Sequence, residues 1–381
     1  MPTDISLAAV ERLVADLVAI DSVNPALVPG GAGEEEIVRF IAAWSADAGL
    51  EVDVVEPATG RPSVVARARG AGGGRSLMLC GHVDTVGVER MTAPHQPQLR
   101  DGRLFGRGGY DMKAGVAACL LAAAQAAGAE LAGDVVVTAV ADEEHSSLGI
   151  QAVLEHVRTD ACVVAEPTGL DVVVAHKGFA WWEITAAGRA AHGSRPDLGI
   201  DAIAAMGPVL TGVGALGREL AGLRHPLLGP GSVHASLIAG GQELSSYPDR
   251  CVLAIERRTL PGETSNQLDA ELERLLAAGG DASAAGLSGR TTLVRQPFEV
   301  DPDEPIVALL RAQAAERRER AAELRGHSAW MDAAFTSAAG IPTVVFGPDG
   351  AGAHAVEEWV DLASVRDCAL VLLGTAAAFC A

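Results

Sequence analysis

Residues 76–84 read SLMLCGHVD, a short apolar run that ends in His82 and Asp84. Three further runs have the same form and are followed by polar side chains: VVVTAVAD (135–142) before Glu143 and Glu144, ACVVA (161–165) before Glu166, and TVVFGPDGAGA (343–353) before His354. Short runs that are rich in β-branched residues are typical of buried strands. Each run therefore predicts a strand that carries acidic or imidazole side chains beyond its carboxyl end.

Longer stretches rich in Ala and Leu alternate with these runs, and this alternation predicts an α/β fold. The predicted strands are Ser63–Arg69, Ser76–Cys80, Asp134–Ala141, Ala161–Ala165 and Pro342–Phe346. The predicted helices are Ser6–Ile20, Glu34–Ala48, Lys113–Ala127, Leu148–Val157 and Pro305–Arg320. We expect the helices to cover both faces of a mostly parallel sheet, because parallel sheets are buried on both sides.

The segment from residue 178 to 297 has a different order of elements. It predicts a strand, a helix, two strands, a helix and a strand, at Ala180–Ala186, Asp201–Leu216, Ser232–Ile238, Cys251–Thr259, Ser265–Ala278 and Thr291–Arg295. This β-α-β-β-α-β order is the ferredoxin-like pattern of a compact α+β domain. We therefore predict a first domain formed by residues 1–177 and 298–381, with residues 178–297 inserted into it as a second domain.

Composition narrows the class of protein. The chain has 381 residues, which is enough for two domains at the usual ~100–200 residues each. Its formal net charge of −20 disfavours nucleic acid and anionic membranes as partners, because both are themselves negative.

The uninterrupted apolar runs fall short of the roughly 18 residues of a membrane span. The amino terminus also lacks the basic region and apolar stretch of a signal peptide. Six cysteines without a CxxC spacing predict reduced thiols, so we expect a cytoplasmic protein.

The side chains at the strand ends are of the kinds that bind transition metals. In open α/β sheets, ligands gather beyond the carboxyl ends of the strands. Imidazole and carboxylate groups bind zinc, cobalt or manganese, and one carboxylate can bridge two ions. Two histidines and three carboxylates therefore suit a pair of divalent metal ions, and these five residues are His82, Asp111, Glu144, Glu166 and His354.

Each of these positions also has an ordinary explanation when it is taken alone. Asp111 precedes a predicted helix and could simply cap it. Asp84 could be a polar loop residue, or it could hold the non-ligating nitrogen of His82 and fix the ring. The Glu143–Glu144 pair could be a solvated turn, whereas in a metal site one carboxylate binds the ion and the other serves as general base. Their shared position at strand ends favours the metal site.

Seven motifs, in order along nearly the full chain, resemble those of one family: GHVDTV (81–86), GRGGYDMKAG (106–115), DEEHSSLG (142–149), AEPT (165–168), GRAAHGSRPDLGIDAI (188–203), ERRTLPGE (256–263) and GAHAVEE (352–358). The family contains acetylornithine deacetylase, succinyl-diaminopimelate desuccinylase, aminoacylase and glutamate carboxypeptidase, which are dinuclear zinc hydrolases. The resemblance implies a zinc-peptidase-like catalytic domain in residues 1–177 and 298–381. It also implies that residues 178–297 form a lid that joins two subunits in a homodimer.

The resemblance implies a role for each predicted ligand. Asp111 would bridge two zinc ions, with cobalt or manganese as alternatives. His82 and Glu166 would complete the site of one ion, and Glu144 and His354 the site of the other. The peptide bond between Asp111 and Met112 would be cis.

Further roles follow from the same resemblance. Glu143 would be the general base, and Asp84 would be the partner that orients His82. In the inserted domain, His192 would stabilise the oxyanion in the partner subunit's active site. Arg258 would bind a free carboxylate of a small-molecule substrate, because its planar fork matches a carboxylate with two hydrogen bonds.

Two departures from the family pattern bear on the substrate. Gly109–Tyr110 stands where many relatives have Thr-Ser, and residues 245–248 read SSYP where Asn-Val-Ile-Pro is common. Ser245 would lie near the backbone of the substrate. The motifs favour hydrolysis of an N-acyl-amino acid, as in an acetylornithine deacetylase or a desuccinylase. A metallo-dipeptidase or carboxypeptidase is the alternative.

Other classes of protein fit the same residues less well. The glycine run at 106–109 suggests a dinucleotide site, but Asp111 replaces the third glycine of GxGxxG and no acidic ribose partner follows at the expected spacing. A serine hydrolase would need a GxSxG motif, which the chain lacks. A non-catalytic binding protein on this scaffold is a remote alternative, since all five ligands and the base are present.

Overall fold

A computed structural model describes residues 5–280, 285–317 and 322–381. The chain forms two compact units, which we call unit 1 and unit 2. Unit 1 consists of Met1–Val174, Val300–Arg325 and Met331–Ala381. Unit 2 consists of Ala175–Glu299 with the short segment Gly326–Trp330.

The described part of the chain contains both helices and strands, with two helices at its start. The helices are α1 (Leu7–Ala19), α2 (Glu35–Asp47), α3 (Ala114–Ala126), α4 (Leu148–His156), α5 (Ala202–Leu220), α6 (Ser265–Gly280), α7 (Pro305–Arg317), α8 (Ala333–Ala338) and α9 (Leu362–Phe379). The strands are β1 (Glu51–Val55), β2 (Ser63–Ala68), β3 (Leu77–His82), β4 (Gln98–Arg100), β5 (Arg103–Phe105), β6 (Val135–Val140), β7 (Ala161–Val164), β8 (Val172–His176), β9 (Gly178–Ala187), β10 (Arg224–His225), β11 (Gly229–Pro230), β12 (Ser232–Gly240), β13 (Arg250–Thr259), β14 (Gly286–Arg295), β15 (Phe298–Glu299), β16 (Leu324–His327), β17 (Thr343–Val345), β18 (Gly350–Ala351) and β19 (Trp359–Asp361).

Unit 1 is built on a central sheet in the order β1-β2-β6-β3-β7-β17-β8. Strands β6, β3, β7 and β17 run parallel to one another. Every residue of β3 and β6 is buried, as expected for strands that are covered on both faces. The predicted α/β fold with a mostly parallel sheet is therefore confirmed.

The edges of this sheet were not predicted. Strands β1 and β2 pair antiparallel, and β8 pairs antiparallel with β17. The sequence of β1, EVDVV, is mostly exposed and carries two acidic residues, so it lacks the apolar run by which the central strands were recognised. The predicted helix Pro305–Arg320 is α7, and its last three residues lie outside the described residues.

Helix α9 is long and apolar enough to resemble a membrane span by length and composition. More than half of it is buried, and it packs against α3, α7 and α1. Helix α3, with the sequence AGVAACLLAAAQA, is buried almost throughout, and its small residues permit close packing of this kind. Helix α9 thus has the surroundings of a core helix.

Unit 2 contains a four-stranded antiparallel sheet in the order β12-β13-β9-β14. Its elements follow the order β9-α5-β12-β13-α6-β14, with an additional short hairpin, β10–β11, that was not predicted. Side chains from α5, α6 and the sheet share one core, including Trp182, Met206, Leu253 and Leu272. Strand β12 lies at the edge of the sheet and exposes Leu237 and Ile238.

Candidate metal centre

The parallel strands of unit 1 place the predicted ligands at one edge of the sheet. Strand β3 ends at His82, β6 ends two residues before Asp142, β7 ends two residues before Glu166, and β17 leads into the loop of His354. Because these strands are parallel neighbours, their carboxyl ends lie at the same edge. The sequence pattern therefore corresponds to a cluster in space.

Asp111 lies between two imidazoles. Its Oδ1 is 3.1 Å from His82 Nε2, and its Oδ2 is 3.4 Å from His354 Nε2. His82 Nε2 also lies 3.5 Å from Glu166 Oε1, and His354 Nε2 lies 3.1 Å from the carboxylate of Glu144. Each carboxylate oxygen of Asp111 thus faces a different pair of histidine and glutamate.

The loop that carries Asp111 is distorted. Residues Gly109–Lys113 form a π-helical turn in which Asp111 and Met112 have non-helical φ and ψ angles. The Asp111–Met112 peptide bond is cis, as the resemblance implied. Gly108, just before this turn, has a φ of 74°, which L-residues with a side chain rarely adopt. The glycine run at 106–109 therefore shapes the approach to Asp111.

Two overlapping groups of side chains bring their ligand atoms within 4.8 Å of one another: His82 with Glu143 and Glu166, and His82 with Asp111 and Glu144. Imidazole and carboxylate donors at such spacing are what zinc and similar divalent ions accept. Glu143, predicted as the general base, belongs to the first group, so its carboxylate lies as near to His82 and Glu166 as a ligand would. The donor set fits two divalent metal ions.

The cluster contains more carboxyl groups than imidazoles. Burial raises the pKa of Glu143 well above its usual value, with the charges of Glu166, Asp332 and Glu144 adding to the effect. Burial likewise raises the pKa of Glu166 to about 8. Hydrogen bonds to Asp111 and Glu144 raise the pKa of His354 to about 10. Bound cations would relieve the repulsion between these carboxylates.

Asp84 contacts His82 through both its backbone carbonyl and its carboxylate. The His82 Nδ1 atom is 3.0 Å from the backbone carbonyl of Asp84 and 3.6 Å from its carboxylate. The carboxylate also accepts hydrogen bonds from the backbone N–H groups of Glu143 at 3.1 Å and Glu144 at 3.2 Å. Asp84 therefore contacts the His82 ring and also holds the loop of the two glutamates through its side chain.

Glu358 was part of a quoted motif, but no role was predicted for it. It is buried, and its carboxylate accepts hydrogen bonds from the backbone N–H groups of Gly108, Tyr110 and Asp111. Arg107 donates a further hydrogen bond to it at 2.7 Å. Glu358 thus fixes the loop that presents Asp111.

The other predicted residues lie in unit 2. His192 and Ser245 are in two adjacent loops, which are joined by a hydrogen bond of 2.6 Å from Gly193 N–H to the Ser245 carbonyl. The Ser245 loop leads into the start of β13 at Arg250. Arg258 lies near the other end of this strand, eight residues further on, which corresponds to roughly 26 Å at about 3.3 Å per residue. Unit 2 therefore brings His192 and Ser245 together and keeps Arg258 away from them.

Comparison with known proteins gives concordant results. The model of the family described as Peptidase family M20/M25/M40 matches residues 78–378. An acetylornithine deacetylase of Vibrio atlanticus (strain LGP32) is 30% identical over 273 residues, which cover 68% of this chain and 70% of the relative. The aminopeptidase PepT of Bacillus cereus ATCC 10987 has a similar structure, with a TM-score of 0.80, 18% identity and coverage of 97% and 98% of the two chains. The YXEP protein of Bacillus subtilis, named a dinuclear metal binding peptidase from the M20 family, superposes with a TM-score of 0.74 at 16% identity, covering 98% of each chain.

Proposed function

The chain belongs to peptidase family M20/M25/M40 and is a hydrolase of amide bonds, and on this premise we propose that it removes the acyl group from an N-acyl-amino acid with the help of two divalent metal ions. The observation that carries the proposal is the position of Asp111, whose two oxygens face His82 and His354. A carboxylate in this position suits a bridge between two ions. The relative named as a dinuclear metal binding peptidase supports the same number of ions.

We propose zinc as the metal, with cobalt or manganese as alternatives. His82 and Glu166 would hold one ion, Glu144 and His354 the other, and Asp111 both. When bound, the ions polarise the scissile carbonyl and lower the pKa of water. The relatives include both deacetylases and peptidases by name, so a centre of this kind is compatible with either substrate class.

Glu143 would act as the general base. Burial raises the pKa of its carboxylate. A general base works best when its pKa lies near the working pH, so this shift favours proton transfer at neutral pH. It would take a proton from the attacking water as the new C–O bond forms at the acyl carbon. It would then deliver that proton to the amine nitrogen as the C–N bond breaks, and the products are a carboxylic acid and a free amino group.

Arg258 would recognise the carboxylate of the amino-acid part. Its Nε donates to Glu256 at 2.7 Å, and its guanidinium carbon lies 5.2 Å from the centre of the Phe179 ring. These contacts restrain the plane of the guanidinium, which suits a bond to a planar carboxylate. Ser245, which lies beside the His192 loop, would contact the backbone of the substrate in the same active site as His192.

His192 would donate a hydrogen bond to the oxyanion that forms in the active site of a second subunit. Two observations on unit 2 support this assignment and the homodimer. His192 pairs with Ser246 just before the Arg250 end of β13, whereas Arg258 lies near the other end of that strand, and this separation favours contacts with different active sites. The edge strand β12 exposes Leu237 and Ile238, and an apolar sheet edge favours pairing with another chain.

We further propose that the enzyme works in the cytoplasm on small molecules. All six cysteines are buried and free, in agreement with a reducing compartment. The net charge of −20 argues against nucleic acid and anionic membranes as partners.

The deciding experiment is a kinetic comparison of substrates. Protein loaded with zinc, cobalt or manganese is assayed against N-acetyl, N-succinyl and longer N-acyl amino acids and against dipeptides, and the substrates are ranked by kcat/KM. We expect the highest value for an N-acyl-amino acid, whereas the highest value for a dipeptide would establish the peptidase alternative. Replacing the carboxylate of the best substrate by a carboxamide should lower kcat/KM in the wild type, but much less in Arg258→Met.

Measurement of the metal content distinguishes the proposed enzyme from a non-catalytic binding protein. The enzyme should retain or regain close to two metal equivalents per chain. Protein that holds less than one equivalent and cannot be reloaded would instead be a non-catalytic binding protein on this scaffold.

A further inference from the structure

Behind the predicted ligands of unit 1 lies a buried polar cluster that none of the assigned roles includes. Its members are Asn24, Glu34, Arg61 and Asp142, and the exposed fraction of each is 9% or less. They come from three loops, with Asn24 and Glu34 both between α1 and α2, and they are joined by hydrogen bonds next to Glu143. We name this set the Asn24 cluster.

Asn24 connects this cluster to Asp84. Its Nδ2 group donates one hydrogen bond to Asp84 Oδ2 at 2.8 Å and another to Asp142 Oδ1 at 3.0 Å. Its Oδ1 accepts from the backbone N–H of Ala26 at 2.9 Å. The two acidic partners require the amide nitrogen on their side and the N–H of Ala26 requires the oxygen on the other, so the orientation of the amide is determined by its contacts.

Arg61 fixes the far end of the cluster. Its Nε and Nη2 each donate to a different oxygen of Glu34 at 2.7 Å. The same Nη2 donates to Asp142 Oδ1 at 2.7 Å. Two parallel hydrogen bonds between a guanidinium and a carboxylate fix the planes of both groups. Asp142 therefore contacts a rigid Arg61–Glu34 pair.

Stability alone does not account for this arrangement. The cluster and Asp84 together bury three carboxylates against one guanidinium, and such groups are costly to remove from water. Buried ion pairs often contribute no more to stability than apolar residues of similar size. Their hydrogen bonds do, however, allow Asp84 a single orientation.

We infer that Asn24 is a positioning residue of the metal centre: it locks the Asp84 carboxylate, which in turn holds the backbone of Glu143 and Glu144. The inference deepens the proposed function and rests on it. Asp84 Oδ2, which accepts from Asn24, also accepts from the backbone N–H of Glu144. Loss of the Asn24 amide would therefore free the Asp84 carboxylate to rotate. The turn that carries the predicted base Glu143 and the predicted ligand Glu144 would then lose a fixed contact.

The test compares Asn24→Ala with Ser22→Ala. Ser22 is buried in the same segment, but its hydroxyl donates to the carbonyl of Val83 at 2.7 Å and not to a carboxylate. Both variants lose one buried polar group, so they report on the same kind of stability loss. Zinc affinity is measured by competition with a chelator, and the geometry of the centre by the visible absorption of the cobalt-loaded protein.

We expect Asn24→Ala to weaken zinc binding by about tenfold or more, as substitution of outer partners of metal sites typically does, and to change the cobalt absorption band. Asn24→Asp should have a larger effect, because it places an acceptor against two carboxylates. Ser22→Ala should keep the wild-type affinity within about twofold and the wild-type band. Wild-type zinc affinity together with an unchanged cobalt band in Asn24→Ala would overturn the inference.

Two controls keep the result unambiguous. If Asn24→Ala does not fold, Arg61→Lys decides, since it retains the charge but loses the paired bonds to Glu34; an unchanged affinity and band in that variant would overturn the inference. A wild-type protein that binds neither zinc nor cobalt contradicts the proposed function itself, and the role of Asn24 falls with it. The wild-type protein therefore tests the proposed function, whereas the variants test the role of Asn24.

Discussion

Glu358 and Asp111 lie 247 positions apart in the chain, yet Oε1 of Glu358 accepts a hydrogen bond from the backbone N–H of Asp111 at 3.0 Å. The same oxygen accepts from Tyr110 N–H at 2.9 Å, and Oε2 accepts from Gly108 N–H at 3.1 Å. One buried carboxylate therefore satisfies three backbone donors of the loop that carries the central predicted ligand. The geometry of Asp111 depends on this contact as much as on its own sequence neighbours.

Glu358→Gln should destabilise the protein, because the amide turns a donor toward backbone N–H groups and leaves at least one of them unsatisfied. We expect a loss of about 1–3 kcal/mol in the free energy of unfolding, measured with urea. Glu357→Gln is the matched control, since the neighbouring side chain is exposed and should change stability by less than about 0.5 kcal/mol. Equal stability of the two variants would show that Glu358 does not hold the loop.

Glu143→Ala should separate metal binding from turnover. We expect the variant to retain both metals and to lose about 10²–10⁴ in kcat, the usual contribution of a general base. Glu155→Gln, at an exposed site on α4, serves as the control for loss of a carboxylate and should keep the wild-type kcat. Activity within tenfold of the wild type would mean that another group takes the proton. Loss of a metal ion would mean that Glu143 is a ligand, as its proximity to His82 and Glu166 allows.

His192→Ala should lower kcat by about 10²–10³, as removal of an oxyanion donor does. Mixed with a His82→Ala chain, which retains His192 but has a damaged metal site, it should recover activity, because the mixed dimer contains one complete site. The activity of the His192→Ala protein alone provides the baseline. If the mixed dimers form and no activity returns, His192 acts within its own chain or has no catalytic role.

Asp160 should make stability depend on pH in the acid range. Hydrogen bonds from the backbone N–H and the hydroxyl of Ser76, at 2.7 and 2.9 Å, hold the pKa of Asp160 below its usual value of 3.8. The folded state therefore binds the proton less readily than the unfolded state. The stabilisation is present above pH 3.8 and is lost as the pH falls through the lower pKa of the folded state.

The measurement compares wild-type protein with Asp160→Asn by urea unfolding between pH 7 and pH 2.5. The wild type should be more stable at pH 7, and the difference should shrink as the solution becomes more acidic than about pH 4. A difference that stays constant over this range would mean that the Ser76 contacts do not favour the ionised form of Asp160.

The central strands and the cluster at their carboxyl ends could be predicted because both depend on a local pattern. The runs before His82, Glu143 and Glu166 are continuous and apolar, as strands buried on both faces require. Parallel pairing then brings the residues after each run to the same edge. This inference needs only the direction of the strands and no knowledge of loop conformation.

The supporting residues could not be predicted in this way. Asn24, Arg61 and Glu358 are single polar residues in loops, and their contacts span 60, 81 and 247 positions of sequence. No periodicity marks a side chain whose partner is a distant backbone or carboxylate. The additional contact of the His82 ring with the backbone carbonyl of Asp84 likewise depends on the local path of the main chain.

The origin of the centre in distant parts of the chain also fixes the order in which it can mature. Synthesis proceeds from the amino terminus, and domains generally fold as they emerge. Asp111 is made early, but His354 and Glu358 follow only after all four strands of the unit 2 sheet have been translated. The strands of unit 2 are therefore synthesised while Asp111 still lacks the imidazole of His354 and the hydrogen bond to Glu358, so a metal ion held by His354 would bind only late in synthesis.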